Sequence, residues 1–379
     1  MRAFSHRWTP AVGWSENVAA TDPQVQLLMG FGPAQAPPDE WFADVARRWP
    51  NATLVYTTAG GQIDGADVLD AGVVLTGWAF DKARARVVVL EGVGSVPCET
   101  LGRQLGQAVA SEPELRHVLL FLDGLLVNGA AFAEGLAGVL PAGVTVSGGL
   151  ASDGLEFVFT GIGINGPAKA GRVVAVALSG ASLAIGTGSV GGWEPFGPER
   201  LVTRASGTTV FELDGERALD VYGRYLGNLV KELPGSALLF PLLLSAPMGG
   251  PAVVRTILGV DGPAGSLRFA GDVPQGHKVR LMRATNDWIL DGAAAAAREA
   301  RAALDGVEPA ALLCISCVGR RALLRSRIEE EVDEVLQLSG SAVVTGYYSN
   351  GEIAPPHGAP NGAALLHNQT MTVTAIGER

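Results

Sequence analysis

Four short stretches concentrate residues able to do chemistry: SGGLASDG at 147–154, CVGRR at 317–321, GYYSNGEI at 346–353 and HNQT at 367–370. In GYYSNGEI, Asn350 and Gly351 suit backbone of positive φ, which would leave amide groups and the Glu352 carboxylate at the end of a sheet. Such ends often hold ligands; the plain alternative is a turn with a solvated Glu. His367 offers a base or a ligand, or simply a hydrogen-bonded imidazole at the start of the last strand. Cys314 and Cys317 form a CxxC, but Cys314 lies inside the strand-like ALLCIS. Two positions three apart on a strand face opposite sides, so neither a disulfide nor a shared metal site is expected. A structural zinc would need two further ligands, and Cys98 stands alone. Cys317 is followed by Arg320 and Arg321, whose guanidinium groups would favour its thiolate. Arg255, in VVRTIL, would need an acid or a bound anion if buried.

Several chemistries are excluded by what is missing. SGGLASDG has a phosphate loop's glycines but no GxxxxGK[ST], and it runs into LEFVFT, which reads as a strand rather than a helix. GTGSVGG at 186–192 fails the same test. No GxSxG elbow, HExxH or Ser/His/Asp order is present.

The elements that must position these residues follow from periodicity. Buried strands are expected at TLVYT, RVVVLE, HVLLFL, RVVAVALS and ALLCIS, and half-faced strands at LEFVFT, SLRF, KVRLMR and MTVTAI. Helical stripes run through Leu101, Leu105 and Val109, through Val221, Tyr222, Tyr225 and Leu229, and through Ile328, Val332 and Val335. DEWFADVARRWP reads as a helix capped by Asp39 and stopped by Pro50, and the alanine-rich helix ends at Leu304–Gly306. The order HVLLFLDGLLVNG, helix, VTVSGGLASDG matches ALLCISCVGRR, helix, AVVTGYYSNGEI, and TLVYTTAGGQIDG copies the loop once more, which implies related halves. The Gly/Pro-rich segment 186–207 is the expected connection between them. The fold class is therefore α+β with α/β-like layers: two related domains, each a mixed or mainly antiparallel sheet covered by helices.

The chain has 379 residues, 47% hydrophobic and 17% charged, enough for two cores. A net charge of −10 without clustered Lys and Arg argues against a nucleic-acid partner. The N-terminus lacks a signal's apolar core, and LDGAAAAAREARAALDG is interrupted by Arg298, Glu299 and Arg301, so no membrane partner is expected. With only three cysteines, a reducing, cytoplasmic setting is expected.

Taken in order, GGLASDG, LDGERALDVYGRYLG, FPLLL, VVRTILGVD, RFAGDVPQGHKVRLM, SCVGRR, GYYSNGEI and HNQTMTVTAIGE resemble the FIST family, with a FIST N-terminal domain at 22–205 and a FIST C-terminal domain at 206–379. The resemblance implies a sensory module that binds a small ligand, amino acids being the usual suggestion. In many relatives the domain is fused to an output domain; none is read here, so signalling in trans to a kinase or another output protein is expected. The ligand-site positions carried over from the matching motifs are Gly148, Gly149 and Asp153; Cys317, Gly319 and Arg320; Ser349, Asn350, Gly351 and Glu352; and His367, Asn368 and Thr370. Arg320 is expected to hold a carboxylate and Glu352 an amine, a pair suited to an amino acid. No catalytic residue, metal or cofactor is assigned. The competing readings are a haem-based nitric oxide sensor ligated by His277, His357 or His367, an enzyme with Cys317 as nucleophile and His367 as base, and a scaffold without a ligand.

Overall fold

The structure, a computed structural model, describes every residue except Glu16, Asn17, Ala19, Ala20, Ala36, Met248 and Pro360. Its body repeats one arrangement three times. In each unit two parallel strands flank a helical connection: Leu27–Gly32 with Thr53–Thr58 around Asp39–Arg48, Leu115–Leu122 with Thr145–Leu150 around Gly129–Ala137, and Ala311–Cys317 with Val343–Ser349 around Val318–Leu324 and Ile328–Leu336. On its other side the first strand of each unit pairs antiparallel with a later one, Val73–Ala79, Arg172–Ser179 or Met371–Glu378. The duplication read from sequence is present, and the loop copy at TLVYTTAGGQIDG belongs to a third unit.

The units exchange strands in a ring. After its second parallel strand, each sends a short strand to a neighbour's sheet: Gln62–Asp64 pairs with Val343–Ser349, Ile162–Ile164 with Thr53–Thr58, and Glu352–Ala354 with Thr145–Leu150. The intervening loops lock in the same cyclic order, Gly60 N donating to Tyr348 O, Ser152 N to Thr58 O and Asn350 N to Leu150 O. The strand tips bearing the glycine motifs thus meet at the centre. Gly148 and Gly346 sit where each second strand presses on the first, and a Cβ there would lie 2.2 Å from Leu120 O and 1.7 Å from Cys314 O. No side chain fits such an approach.

The inner sheet faces share one core, including Met29, Phe31, Leu119, Phe121, Leu313, Ile315 and Tyr347. Thr76 and Thr345 hydroxyls, and those of Ser147 and Thr374, pair at 2.6 Å within it, satisfying polar groups that could not reach water. The alanine-rich helix Asn286–Ala302 lies on the third unit's outer face, where small side chains permit close approach to Gly186 and Gly188.

Between the strand Leu183–Val190 and that helix is inserted a module, Glu194 to Arg283, with an eight-stranded sheet, the helix Ala218–Leu226 and its own core. The segment 186–207, expected as a connecting loop, is largely two strands, Leu183–Val190 and Glu194–Ser206. The border expected between 205 and 206 falls inside the module, and two sheets of the body draw strands from both sides of it. LEFVFT is not a strand. The Asp153 carboxylate accepts from the amides of Phe157, Val158 and Phe159, and Phe157 takes φ +54, so the segment folds as a capped loop. Asp39 opens its helix one position after the cap, Pro38. The fold is otherwise as expected: mixed α/β content with sheets flanked by helices. Among the described residues no helix is long and apolar enough to cross a membrane.

Candidate functional site

At the carboxyl ends of the parallel strands of the second and third units, a cleft of about 560 Å³ separates the body from the inserted module. On the body side lie Leu150, Cys317, Val318, Gly319, Asn350 and Asn368; the module contributes Thr208, Leu238, Thr256, Leu258, Arg268, Phe269 and Ala270. The loop after Leu115–Leu122 closes one end with Leu125, Leu126, Val127 and Asn128, and the loop capped by Asp153 brings Leu155 and Phe157. Leu126, Leu155 and Phe157 are 53%, 51% and 44% exposed, so the mouth is apolar and wet.

Hydrogen bonds tie the two walls on either side of the opening. Thr256 N donates to Asn368 Oδ1 at 3.3 Å, Asn128 Nδ2 to Asp272 Oδ1 at 2.9 Å and Gln369 Nε2 to Leu238 O at 3.3 Å. Arg255 bridges them too, donating to Asp272 O and Leu366 O. Its charge is buried against carbonyls, and burial lowers its pKa to about 10 against the opposing pull of the Asp272 carboxylate. Two enclosed polar atoms of the lining residues, Asn350 Nδ2 and Thr256 Oγ1, have no hydrogen-bond partner among the described residues.

Of the positions expected to bind ligand, Cys317, Gly319, Asn350 and Asn368 line this cleft. The charged pair does not. Arg320 is wholly buried, its Nε 2.6 Å from Glu331, and it donates to the carbonyls of Gly191, Ile289 and Gln369. Glu352 is equally buried and accepts from Ser349 Oγ, Thr370 N and Thr370 Oγ1. Burial pushes its pKa up to about 8 against those hydrogen bonds. The clamp expected of Arg320 and Glu352 is therefore wrong: an ionisable group inside the fold must find protein partners, and both have. Ser349 and Thr370 serve Glu352. His367 sits opposite Glu352 on the adjoining strand, bonds Ala354 O at 3.0 Å and is lowered to about pKa 4 by burial. Gly351 is buried behind the cleft, its carbonyl accepting from Leu150 N, and Gly148 and Gly149 are packing glycines. A Cβ on Gly149 would lie 2.7 Å from Ile315.

Cys317 is also corrected. Burial raises its thiol pKa, Glu352 adds to the shift, and the Arg320 guanidinium is turned towards Glu331, so the thiolate is disfavoured. Among the described residues no hydrogen bond joins Cys317 to His367, and no cluster of three or more His, Cys, Asp or Glu could hold a metal. None of His277, His357 and His367 lines the cleft, so it offers haem no axial imidazole.

A second, more open recess of about 520 Å³ contains Gly60, Gly61, Asp70, Asp153, Glu156 and Arg321. Arg321 is paired there with Asp70 and the Gly60 carbonyl, and Asp153 caps its own loop.

Sequence reasoning missed Arg268, Thr256, Asn128 and the apolar lips. SLRF alternates correctly and Arg268 faces outward on its strand, but nothing local says that the strand packs across another unit's tips.

A model of the FIST N domain matches residues 26–216, and a model of the FIST C domain matches residues 218–355. No curated protein sequence matches. Among solved structures, the chain is similar to one titled "Cyanuric acid hydrolase: evolutionary innovation by structural concatenation", at 9% identity and TM-score 0.33 over 100% of this chain and 99% of that one. It is also similar to a cyanuric acid hydrolase from A. caulinodans, at 11% identity and TM-score 0.34 with the same coverage. Similarity at that level carries no argument about chemistry.

Proposed function

The chain belongs to the FIST family, whose domains are generally sensory modules of signal transduction, and from that premise we propose that it senses a small organic molecule held in the cleft between body and module. One observation carries this reading: the cleft joins an apolar mouth of Leu126, Leu155 and Phe157 to polar side chains on both walls, Asn350 and Asn368 on the body and Thr208, Thr256 and Arg268 on the module. Its volume of about 560 Å³ is that of an ordinary small-molecule site.

A ligand touching both walls would bind the closed pairing of module and body better than a loosened one. That differential affinity is what converts occupancy into a change of shape. The altered surface would then be read by a separate output protein, in a cytoplasmic setting. An amino acid held between Arg320 and Glu352 is no longer part of the proposal. Catalysis by Cys317 is not part of it either, because its thiol is held protonated.

Native mass spectrometry of protein purified without added ligand tests the reading, beside an Ala270→Trp variant that fills the cleft from the module side. The expected result is a retained small molecule in the parent and none in the variant. A parent that carries nothing and shows no thermal shift with a metabolite panel would remove the proposal.

A further inference from the structure

Resting on that reading of the cleft, we infer that its ligand is an apolar monoanion, a carboxylic acid without a compensating ammonium, and that Arg268 is the residue that selects it. The cleft lining contains one charged side chain, Arg268, and no Asp or Glu. The guanidinium makes no ion pair or side-chain hydrogen bond among the described residues, while other arginines of the module, such as Arg200, Arg204, Arg217 and Arg224, are engaged. It has room because the paired strand carries Gly259, where a Cβ would lie 3.1 Å from Arg268 Nη2.

Asp272 is not in the lining, and its Oδ1 is taken by Asn128 Nδ2 at 2.9 Å. An α-ammonium in this cleft would meet a like charge and no carboxylate. A carboxylate would meet a free, exposed guanidinium at the edge of apolar walls, a charge-assisted contact that planar guanidinium geometry suits. Leu125, Leu126, Leu155 and Phe157 receive the apolar body. The same lining explains why the charge-paired positions of the neighbouring motifs took no part: they lie inside the fold.

Matched pairs test this by calorimetry and thermal shift: 3-phenylpropanoate against phenylalanine, indole-3-propanoate against tryptophan, and 4-methylpentanoate against leucine, each on the parent chain, Arg268→Gln and Ala270→Trp. Expected is at least one acid binding roughly tenfold or more tighter than its amino acid, with that advantage abolished in Arg268→Gln and all binding abolished in Ala270→Trp. Amino acids that bind as well as the acids and are blocked by Ala270→Trp overturn the inference while leaving the cleft as the site. Acid binding that persists in Ala270→Trp overturns both. No binding by any of the six also overturns the inference, and the retained-molecule experiment then decides the cleft by itself.

Discussion

The cleft and the buried polar interior just beneath it are made from the same short motifs and treat their residues in opposite ways. In GYYSNGEI, Asn350 reaches the cleft while Ser349 and Glu352 bond to each other inside; in HNQT, Asn368 lines the cleft while Thr370 serves Glu352; in CVGRR, Cys317 and Gly319 face the opening while Arg320 turns in to Glu331. Asn350, Asn368 and Cys317 line the cleft, whereas Arg320 and Glu352 hold the strand tips together. Polarity at a strand end therefore marks two different duties, and only the direction of each side chain separates them.

The largest effect that would sharpen this contrast is at Arg320. Arg320→Met strands the Glu331 carboxylate inside the fold and should cost about 3–5 kcal/mol in denaturant titration, whereas adding Glu331→Leu should recover much of it. A loss below about 1 kcal/mol would mean that the pair is not part of the framework. Next is Glu352. Its folded pKa of about 8 lies above the ordinary 4.5, so the folded state holds the proton more tightly, and the stabilisation is complete below 4.5 and lost as pH rises through 8. His367, lowered from 6.5 to about 4, destabilises only at acid pH, so the comparison belongs between pH 7 and 9. Over that range the parent should lose on the order of 1–2 kcal/mol that Glu352→Gln does not; parallel stability curves would remove the assignment.

A smaller effect is expected at Asn350, whose Oδ1 accepts from Ser152 Oγ at 2.7 Å. Asn350→Ala should cost about 1 kcal/mol of stability and also weaken whatever the cleft binds, since its amide serves both regions. Smallest is Arg268→Gln, within about 0.5 kcal/mol of the parent by thermal melting because its side chain is exposed and unpaired. A large melting shift there would show a structural duty and erase the distinction drawn between the two regions.

Much of the fold was readable in the chain because its signals are local. Buried strands such as HVLLFL and ALLCIS have the unbroken apolar runs of strands covered on both faces, and the stripes at Leu101–Val109 and Ile328–Val335 have helical spacing. LEFVFT misled because alternation was satisfied while the Asp153 carboxylate, six residues from its farthest partner, captured the amides that a strand would need. Of the candidate site, the motifs located strand tips that line the cleft but not Arg268, Thr256 or Asn128. Arg320 and Glu352 look like ligand groups in any linear reading.

By itself the sequence determined most of the elements, the repeated strand–helix–strand units and the family, since these rest on patterns written along the chain. Tertiary structure alone decided which charges turned inward, which strands crossed into neighbouring sheets, where glycine was the only residue that fits, and that an inserted module would bring Arg268 over strand tips remote from it in the chain. The physical reason is desolvation: whether a carboxylate or guanidinium is free to meet a ligand depends on what buries it, and burial is set by segments remote in sequence.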